Sequence, residues 1–365
     1  MSVRNSGHER LTRRGFIGTV AAAAATAGIG LGRSAGAEQG AASKEGTKRP
    51  RCAPVISGNL RPFDPSLDRA GWVKQLDDER AIGFDLLWIS HVAPAFAKPL
   101  AEDPMLTVLD LCAERKMQVI VDTGASPLWY GDLDLDKELK AIGASVKTIA
   151  ERYGSHPAFH AWYVPHEIYM AWDSMNAYLR RLYPAVVSLC KEAVPAKPVT
   201  LSPFFILDRE RVFGDFRFNE PEEYQAYWAD LIRLSRFDII MLQDSGEHFS
   251  FCTMEQRRPY FAAMRAACDT AGATLWANVE TAEFECSSME EYVRRYGRVH
   301  HSTVKAAPWR AVPIDRLKSK LELAAEYADR IVTWGYYQYG RPELSDKAAQ
   351  WYRDYQAYVG TRPRP

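Results

Sequence analysis

Ala158-Phe-His-Ala-Trp-Tyr-Val-Pro-His-Glu167 is a near-continuous apolar run of strand length that ends on a carboxylate, and its reading decides the fold. A second run of the same form, Ala273-Thr-Leu-Trp-Ala-Asn-Val-Glu280, also closes on a glutamate. Working outward, apolar runs with the same boundaries recur at Pro54–Leu60, Phe84–His91, Gln118–Gly124, Pro198–Phe205, Phe237–Asp244 and Arg330–Tyr337. That makes eight strands, with the two glutamates at the ends of the fourth and the seventh.

Amphipathic stretches separate them, among them Pro104–Lys116, Met175–Ala193, Glu220–Ser235, Glu255–Ala271 and Pro313–Tyr327, each long enough for a crossover helix. Near-continuous apolar strands in strict alternation with helices imply an α/β chain with a parallel sheet covered on its outer face. Eight such units favour closure into a single (β/α)8 TIM barrel over residues 53–362. An open doubly wound sheet advertises a glycine-rich turn after its first strand. Here Leu60-Arg-Pro-Phe-Asp-Pro65 follows, with neither that fingerprint nor a phosphate loop, so no nucleotide cofactor is expected.

The same end of nearly every strand turns polar or aromatic: Ser57 and Asn59, Trp88 and His91, Asp122, His166 and Glu167, Ser202, Gln243 and Asp244, Asn278 and Glu280, Trp334 and Tyr336. Barrel enzymes build their sites at the C-terminal ends of the strands, so this asymmetry marks the functional face. Two carboxyl groups there are what cleaving an acetal between sugars requires, one to protonate the leaving oxygen and one to attack or stabilise the anomeric carbon. Each glutamate has a duller reading as a helix cap or the partner of an arginine, and Glu283 and Glu285 lie close enough to Glu280 to serve instead. Strands four and seven are expected to face each other across the barrel, so that the two glutamates flank a bound sugar from opposite sides, and this joint placement carries the expectation.

Sugar rings present apolar faces that stack on Trp and Tyr. Trp88, Trp129, Tyr130, Trp162, Tyr163, Trp172, Trp276, Trp334, Tyr336, Tyr337 and Tyr339 fall in or just past strand ends. Trp162 and Trp276, inside strands, read as core, whereas Trp129, Tyr130 and Trp172 in rim loops read as subsites.

Trp162-Tyr163-Val164-Pro165-His166-Glu167, Leu201-Ser202-Pro203-Phe204-Phe205, Asp238-Ile-Ile-Met-Leu-Gln243-Asp244 and Leu275-Trp276-Ala277-Asn278-Val279-Glu280 resemble the signature strands of the family known as domain of unknown function 4434. With Ile56-Ser57-Gly58 and Gly83-Phe84-Asp85, the resemblance spans residues 53–350. It implies a glycoside-hydrolase-like barrel of an exported bacterial protein. The wider likeness is to retaining barrel glycosidases, and it implies Glu167 as acid/base and Glu280 as nucleophile. His166 stands where those enzymes carry an asparagine. Gln243, Asp244, Asn278 and His166 are then expected to position substrate, with His91, Asp122, Trp129, Trp172, Trp334 and Tyr336 completing the cleft.

Two other functions compete. His91, Asp122, His160, His166, Asp244 and His248 include ligand types for a zinc or iron hydrolase, but no His-x-x-x-His pair supports it and no metal is expected. A barrel that binds carbohydrate without cleaving it would keep the aromatics and lose the chemistry.

The first residues read as an export signal. Thr12-Arg13-Arg14-Gly15-Phe16-Ile17 resembles a twin-arginine motif, followed by the Ala-rich run Ile17–Leu31 and the small-residue site Ala35-Gly36-Ala37. That implies passage through the twin-arginine translocase, removal of residues 1–37, a flexible linker over 38–52, and a periplasmic or secreted protein. The apolar run is too short for a stable membrane anchor. Removing residues 1–37 takes away five basic groups and one acidic group, leaving 41 basic against 45 acidic, a formal charge of −4. Such a surface offers no electrostatic footprint for nucleic acid. The six cysteines show no metal or redox spacing; Cys252 and Cys286, following neighbouring strands, read either as a bridge or as buried thiols. The long excursion Thr281–Val312, with a short helix expected at Met289–Tyr296, reads either as a solvated, locally helical excursion or as a roof over the cleft carrying His300, His301 and Trp309, and the roof is the expectation.

Overall fold

The computed structural model describes residues 50–126, 129–211, 217–246, 249–296 and 309–361. The expected signal at 1–37, the linker up to residue 49, His248, His300 and His301 lie outside them. The last linker residues are docked: the Arg51 guanidinium pairs with Asp329 at 2.7 Å, and its amide donates to Ala325 O at 2.8 Å.

Among the described residues, β1 (Gly58–Pro62), β2 (Leu86–Ser90), β3 (Gln118–Asp122), β4 (Phe159–Val164), β5 (Val199–Leu201), β6 (Ile239–Gln243), β7 (Thr274–Asn278) and β10 (Arg330–Trp334) close into one barrel. All eight neighbouring pairs are parallel, and β10 seals the ring by pairing with β1 and β7. The major helices outside the barrel are α1 (Arg69–Ala81), α2 (Pro104–Glu114), α4 (Leu135–Tyr153), α5 (Asp173–Ala193), α6 (Pro221–Ser235), α7 (Met254–Ala271), α9 (Ile314–Tyr327) and α10 (Asp346–Gly360). A short helical turn, α3 (Trp129–Asp132), precedes α4.

Side chains alternate along each strand, as the pleat requires. Trp88, Ile120, Tyr163, Met241, Trp276 and Trp334 fill the barrel interior, while Leu87, Val119, Trp162, Ile240, Leu275 and Ile331 face the helices. Trp162 is therefore core between sheet and helix, and Trp276 is core inside the barrel, stacked 6.3 Å from His160 at 6°. Burying one large apolar side chain of either layer contributes roughly 1.5–3 kcal/mol.

The helices start where side chains can satisfy their free amides. Asp134 caps α4 through Lys137 N, and Thr253 and Gln256 form a reciprocal capping box on α7. Asp103 does more than cap α2: its second oxygen accepts from Arg152 Nη1 at 2.9 Å and from Tyr153 OH at 2.6 Å, tying α2 to α4.

The first strand runs four residues later at its start than the apolar pattern of Pro54–Leu60 implies. Asn59 and Arg61 disguise it. Both are fully buried, with Asn59 donating to Glu79 of α1 at 3.2 Å and Arg61 lying between the rings of Trp72 and Tyr337. The excursion after β7 contains the expected helix, α8 (Met289–Tyr296), together with a feature that sequence did not reveal, a two-stranded antiparallel sheet of β8 (Ala282–Phe284) and β9 (Trp309–Ala311). No helix among the described residues is long and apolar enough to cross a membrane. All six cysteines are free, and burial raises the pKa of the Cys252 and Cys286 thiols.

Candidate active site

Pro165 lacks an amide hydrogen, so the β4 ladder stops at Val164 and the chain turns over the rim with His166 and Glu167. Glu167 is 6 % exposed and is held on both oxygens. Tyr163, facing inward four residues earlier, donates its hydroxyl to Oε1, and Gln243 at the end of β6 donates Nε2 to Oε2 at 2.9 Å. The same Gln243 amide donates to Ser202 O at 2.6 Å. Asn278, the register partner of Gln243 on β7, donates Nδ2 to Ser202 Oγ at 3.1 Å. One hydrogen-bonded path thus crosses the rim from β4 to β7.

Glu280, two residues past β7, is 1 % exposed. Its backbone rather than its strand fixes it: Glu280 N donates to Asp244 Oδ1 at 3.2 Å, and the flanking amides of Val279 and Thr281 donate to Val332 O and Trp334 O of β10 at 2.9 and 2.8 Å. Strands β4 and β7 are separated by β5 and β6, so the two glutamates are not diametrically opposed; β10 stands across the barrel from β4.

The other expected residues divide. Gln243, Asn278 and Trp334 belong to the interior rim, with Trp334 edge-on to Trp309 of β9 at 5.6 Å and 74°. Asp122 is buried at the end of β3, accepts from His91 N at 2.9 Å, and has its pKa raised by burial, in part offset by the amides of His91 and Val92. The His91 ring is exposed on a backbone at φ 61°. Asp244 spends its oxygens on the backbone and on Lys320, whose Nζ lies 3.0 Å from Oδ2.

The remaining expected residues, His166, Tyr336, Trp129, Tyr130 and Trp172, pack outside the barrel interior. His166 is fully buried against α4, its Nε2 2.7 Å from Glu138 Oε1, and Trp129 covers its ring at 4.8 Å. Burial lowers the His166 pKa, and the hydrogen bond to Glu138 offsets only part of that. Burial alone would raise the Glu138 pKa, but bonds from His166 and from Ser126 outweigh it and bring the net value down. Tyr336 faces the outer layer, edge-on to Phe84 at 5.1 Å and against Trp351. Trp129 and Tyr130 are buried in that layer as well, and Trp172 is half-buried under the Arg217 guanidinium at 4.4 Å.

Glu283, considered above as a substitute for Glu280, is fully buried between Arg310 at 2.9 Å and Arg316 at 3.2 Å. Glu285 is more than half exposed, 3.7 Å from Arg310. His160 lies at the start of β4, at the opposite end of the barrel from the rim, and no three His, Cys, Asp or Glu side chains among the described residues come together as metal ligands. Sequence reasoning missed Glu138 and Lys320, and it read Tyr163 only as an aromatic. The four-residue spacing of Tyr163 and Glu167 and the lysine amid the apolar positions of α9 were the available signals.

The barrel resembles solved glycosidase structures. It superposes on a candidate alpha-L-fucosidase from Bacteroides thetaiotaomicron VPI-5482 with a TM-score of 0.66 at 16% identity, covering 90% of this chain and 100% of that one. A beta-galactosidase from Marinomonas ef1 gives 0.55 at 11% identity over 83% of this chain and 59% of that one. The hyperthermostable endo-1,4-beta-D-mannanase of Thermotoga petrophila RKU-1 gives 0.53 at 12% identity over 84% and 100%. At such identities the likeness shows the (β/α)8 barrel fold and nothing finer. No curated protein matches the chain in sequence. Residues 65–346, most of the chain, match the family described as domain of unknown function (DUF4434), and the chain belongs to that family.

Proposed function

We propose that the protein is an exported glycoside hydrolase that cleaves a poly- or oligosaccharide with Glu167 as acid/base and Glu280 as nucleophile. The observation that carries this reading is the hydrogen-bonded path Glu167–Gln243–Ser202–Asn278, which binds the ends of β4 to β7 into one rigid rim beside Glu280. Catalytic groups must be held in productive geometry by neighbours that are themselves fixed.

In this mechanism Glu167 gives its proton to the glycosidic oxygen as Glu280 attacks the anomeric carbon, forming a glycosyl ester and releasing the leaving sugar. Glu167 then takes a proton from water, which displaces Glu280 and restores both carboxyl groups. Because Glu280 is 1 % exposed, a substrate reaching it displaces whatever covers the rim. The aromatics Trp334 and Trp309 supply stacking surface next to that point.

The test is product release from a panel of bacterial and plant polysaccharides and 4-nitrophenyl glycosides, run beside Glu167→Gln and Glu280→Gln with a chelator control. Activity abolished in both variants and indifferent to chelator supports the reading. Glycan binding without turnover, unaffected by Glu167→Gln, would replace it with a binding barrel.

Export is part of the proposal, supported by Arg13-Arg14 ahead of the Ala-rich run. Fractionation of cells expressing the full chain and an Arg13→Lys/Arg14→Lys variant tests it: mature protein in the periplasm for the first and precursor in the cytoplasm for the second. Equal periplasmic yield of both would exclude the twin-arginine route.

A further inference from the structure

Lys320 is the anomaly of α9. It sits among the fully buried Leu317, Leu321 and Ala324, one turn on from the partly exposed Arg316, and Lys320 itself is only 2 % exposed. A leucine there would pack without the cost of removing an ammonium from water, a cost that only good compensation offsets. The compensation lies at one point. The Lys320 ammonium donates to the backbone carbonyl of Glu280 and lies 3.0 Å from Asp244 Oδ2. Asp244 Oδ1 in turn accepts the backbone amide of Glu280 at 3.2 Å and that of Gly246 at 3.1 Å. Both polar groups of the Glu280 main chain are thus gripped by one buried ion pair. Asp244 is itself fixed, since the buried Arg257 donates Nε to its carbonyl at 3.0 Å. Gly246 leaves the room this requires, because a Cβ there would collide with Lys320 Nζ.

We infer that Lys320 and Asp244 are positioning residues for the nucleophile, setting the height and direction of the Glu280 carboxylate through its backbone. The inference rests on the reading of Glu280 as nucleophile. It assigns Asp244 to the protein's own main chain rather than to substrate. A carboxylate displaced by about 1 Å costs on the order of a hundredfold in rate, so the clamp acts on kcat and leaves binding alone.

The test compares wild type, Lys320→Met and the double variant Asp244→Asn/Lys320→Met. The double variant removes both charges of the pair and retains an acceptor for Glu280 N, so it avoids the lone buried carboxylate that Lys320→Met leaves behind. Kinetics on whichever 4-nitrophenyl glycoside the wild type cleaves should show kcat lowered about 10- to 100-fold with KM unchanged. Crystal structures of wild type and variant should show the Glu280 main chain displaced. Wild-type kcat with Glu280 in place overturns the inference, as does a fall in melting temperature without a fall in kcat. Glu280→Gln separates the two claims: if it retains full activity the nucleophile assignment fails, and the clamp is then judged by the Glu280 position in the crystals alone.

Discussion

Gln243 Nε2 lies 2.9 Å from Glu167 Oε2 while the same amide donates to Ser202 O at 2.6 Å. A side chain delivered by β6 therefore fixes a carboxylate delivered by β4, with the intervening strand β5 as the anchor.

Replacing Gln243 by Met keeps the volume and removes both donors. Glu167 Oε2 and Ser202 O then each lose a buried donor, a loss of about 0.5–3 kcal/mol apiece. Glu167 also gains freedom to rotate about Tyr163. We expect a lower melting temperature and, in initial-rate assays on a substrate identified from the panel, a loss of about 10- to 100-fold in kcat. Unchanged kcat would mean that Gln243 does not orient Glu167.

His166 makes stability depend on pH. Its folded pKa lies below the ordinary histidine value because of burial, so between that value and about 6.5 the unfolded chain binds more protons than the folded one. Stability is fully present above about pH 6.5 and is lost as pH falls toward the folded pKa. Glu138, with its pKa below the ordinary carboxylate value, adds stability that is present above about 4.5 and lost as pH falls through its folded pKa. Both act in the same direction. The melting temperature of wild type minus that of His166→Gln, followed from pH 7.5 to 5 by differential scanning fluorimetry, should therefore decline with acidification. A flat difference would place the His166 titration outside folding.

Much of this was legible from sequence, and the failures share a cause. The barrel is written in near-continuous apolar strands such as Val119–Val121 and Ile239–Leu242, which only a doubly covered parallel sheet requires. The start of β1 was hidden because Asn59 and Arg61 face outward, where Glu79 and Trp72 of α1 and Tyr337 just after β10 make a polar layer tolerable. At the rim, sequence marks strand ends but not faces. Tyr336 follows Trp334 by two residues and by strand parity would share its side, yet Gly335 at φ 106° turns the chain and sends Tyr336 to the outer layer. Pro165 ends β4, and His166 just beyond it turns toward α4. Lys320 and Glu138 meet the rim from helices distant in sequence, a relation that no local pattern records.

That turn at Gly335 is itself testable. A Cβ there would lie 2.7 Å from both Ala282 Cβ and Ala282 N, on a backbone that side chains rarely adopt. Gly335→Ala should therefore cost about 1–3 kcal/mol in stability. It should also push β8 away from β10 next to Glu280. Denaturant unfolding checks the first effect and loss of turnover the second; a neutral result would show that the β8–β9 sheet yields freely.

Glu283→Gln distinguishes the two buried glutamates that follow β7. Glu283 is fully buried and bound to Arg310 and Arg316, so its charge is spent on pinning β8 to β9 and to α9. Glu280 instead gives its backbone to the Asp244–Lys320 pair. A glutamine at 283 keeps the shape but leaves Arg316 without a counter-charge at its most buried contact. Breaking a buried pair in this way costs about 3–5 kcal/mol, discounted here because Arg310 is 42 % exposed and can turn to water. The expected phenotype is a less stable protein that, assayed well below its melting temperature, still turns over. Glu280→Gln should show the reverse, near-native melting and no turnover. The pair of melting curves and rate assays decides which carboxylate does chemistry: a Glu283→Gln protein that is stable but inactive would transfer the nucleophile's role from Glu280 to Glu283.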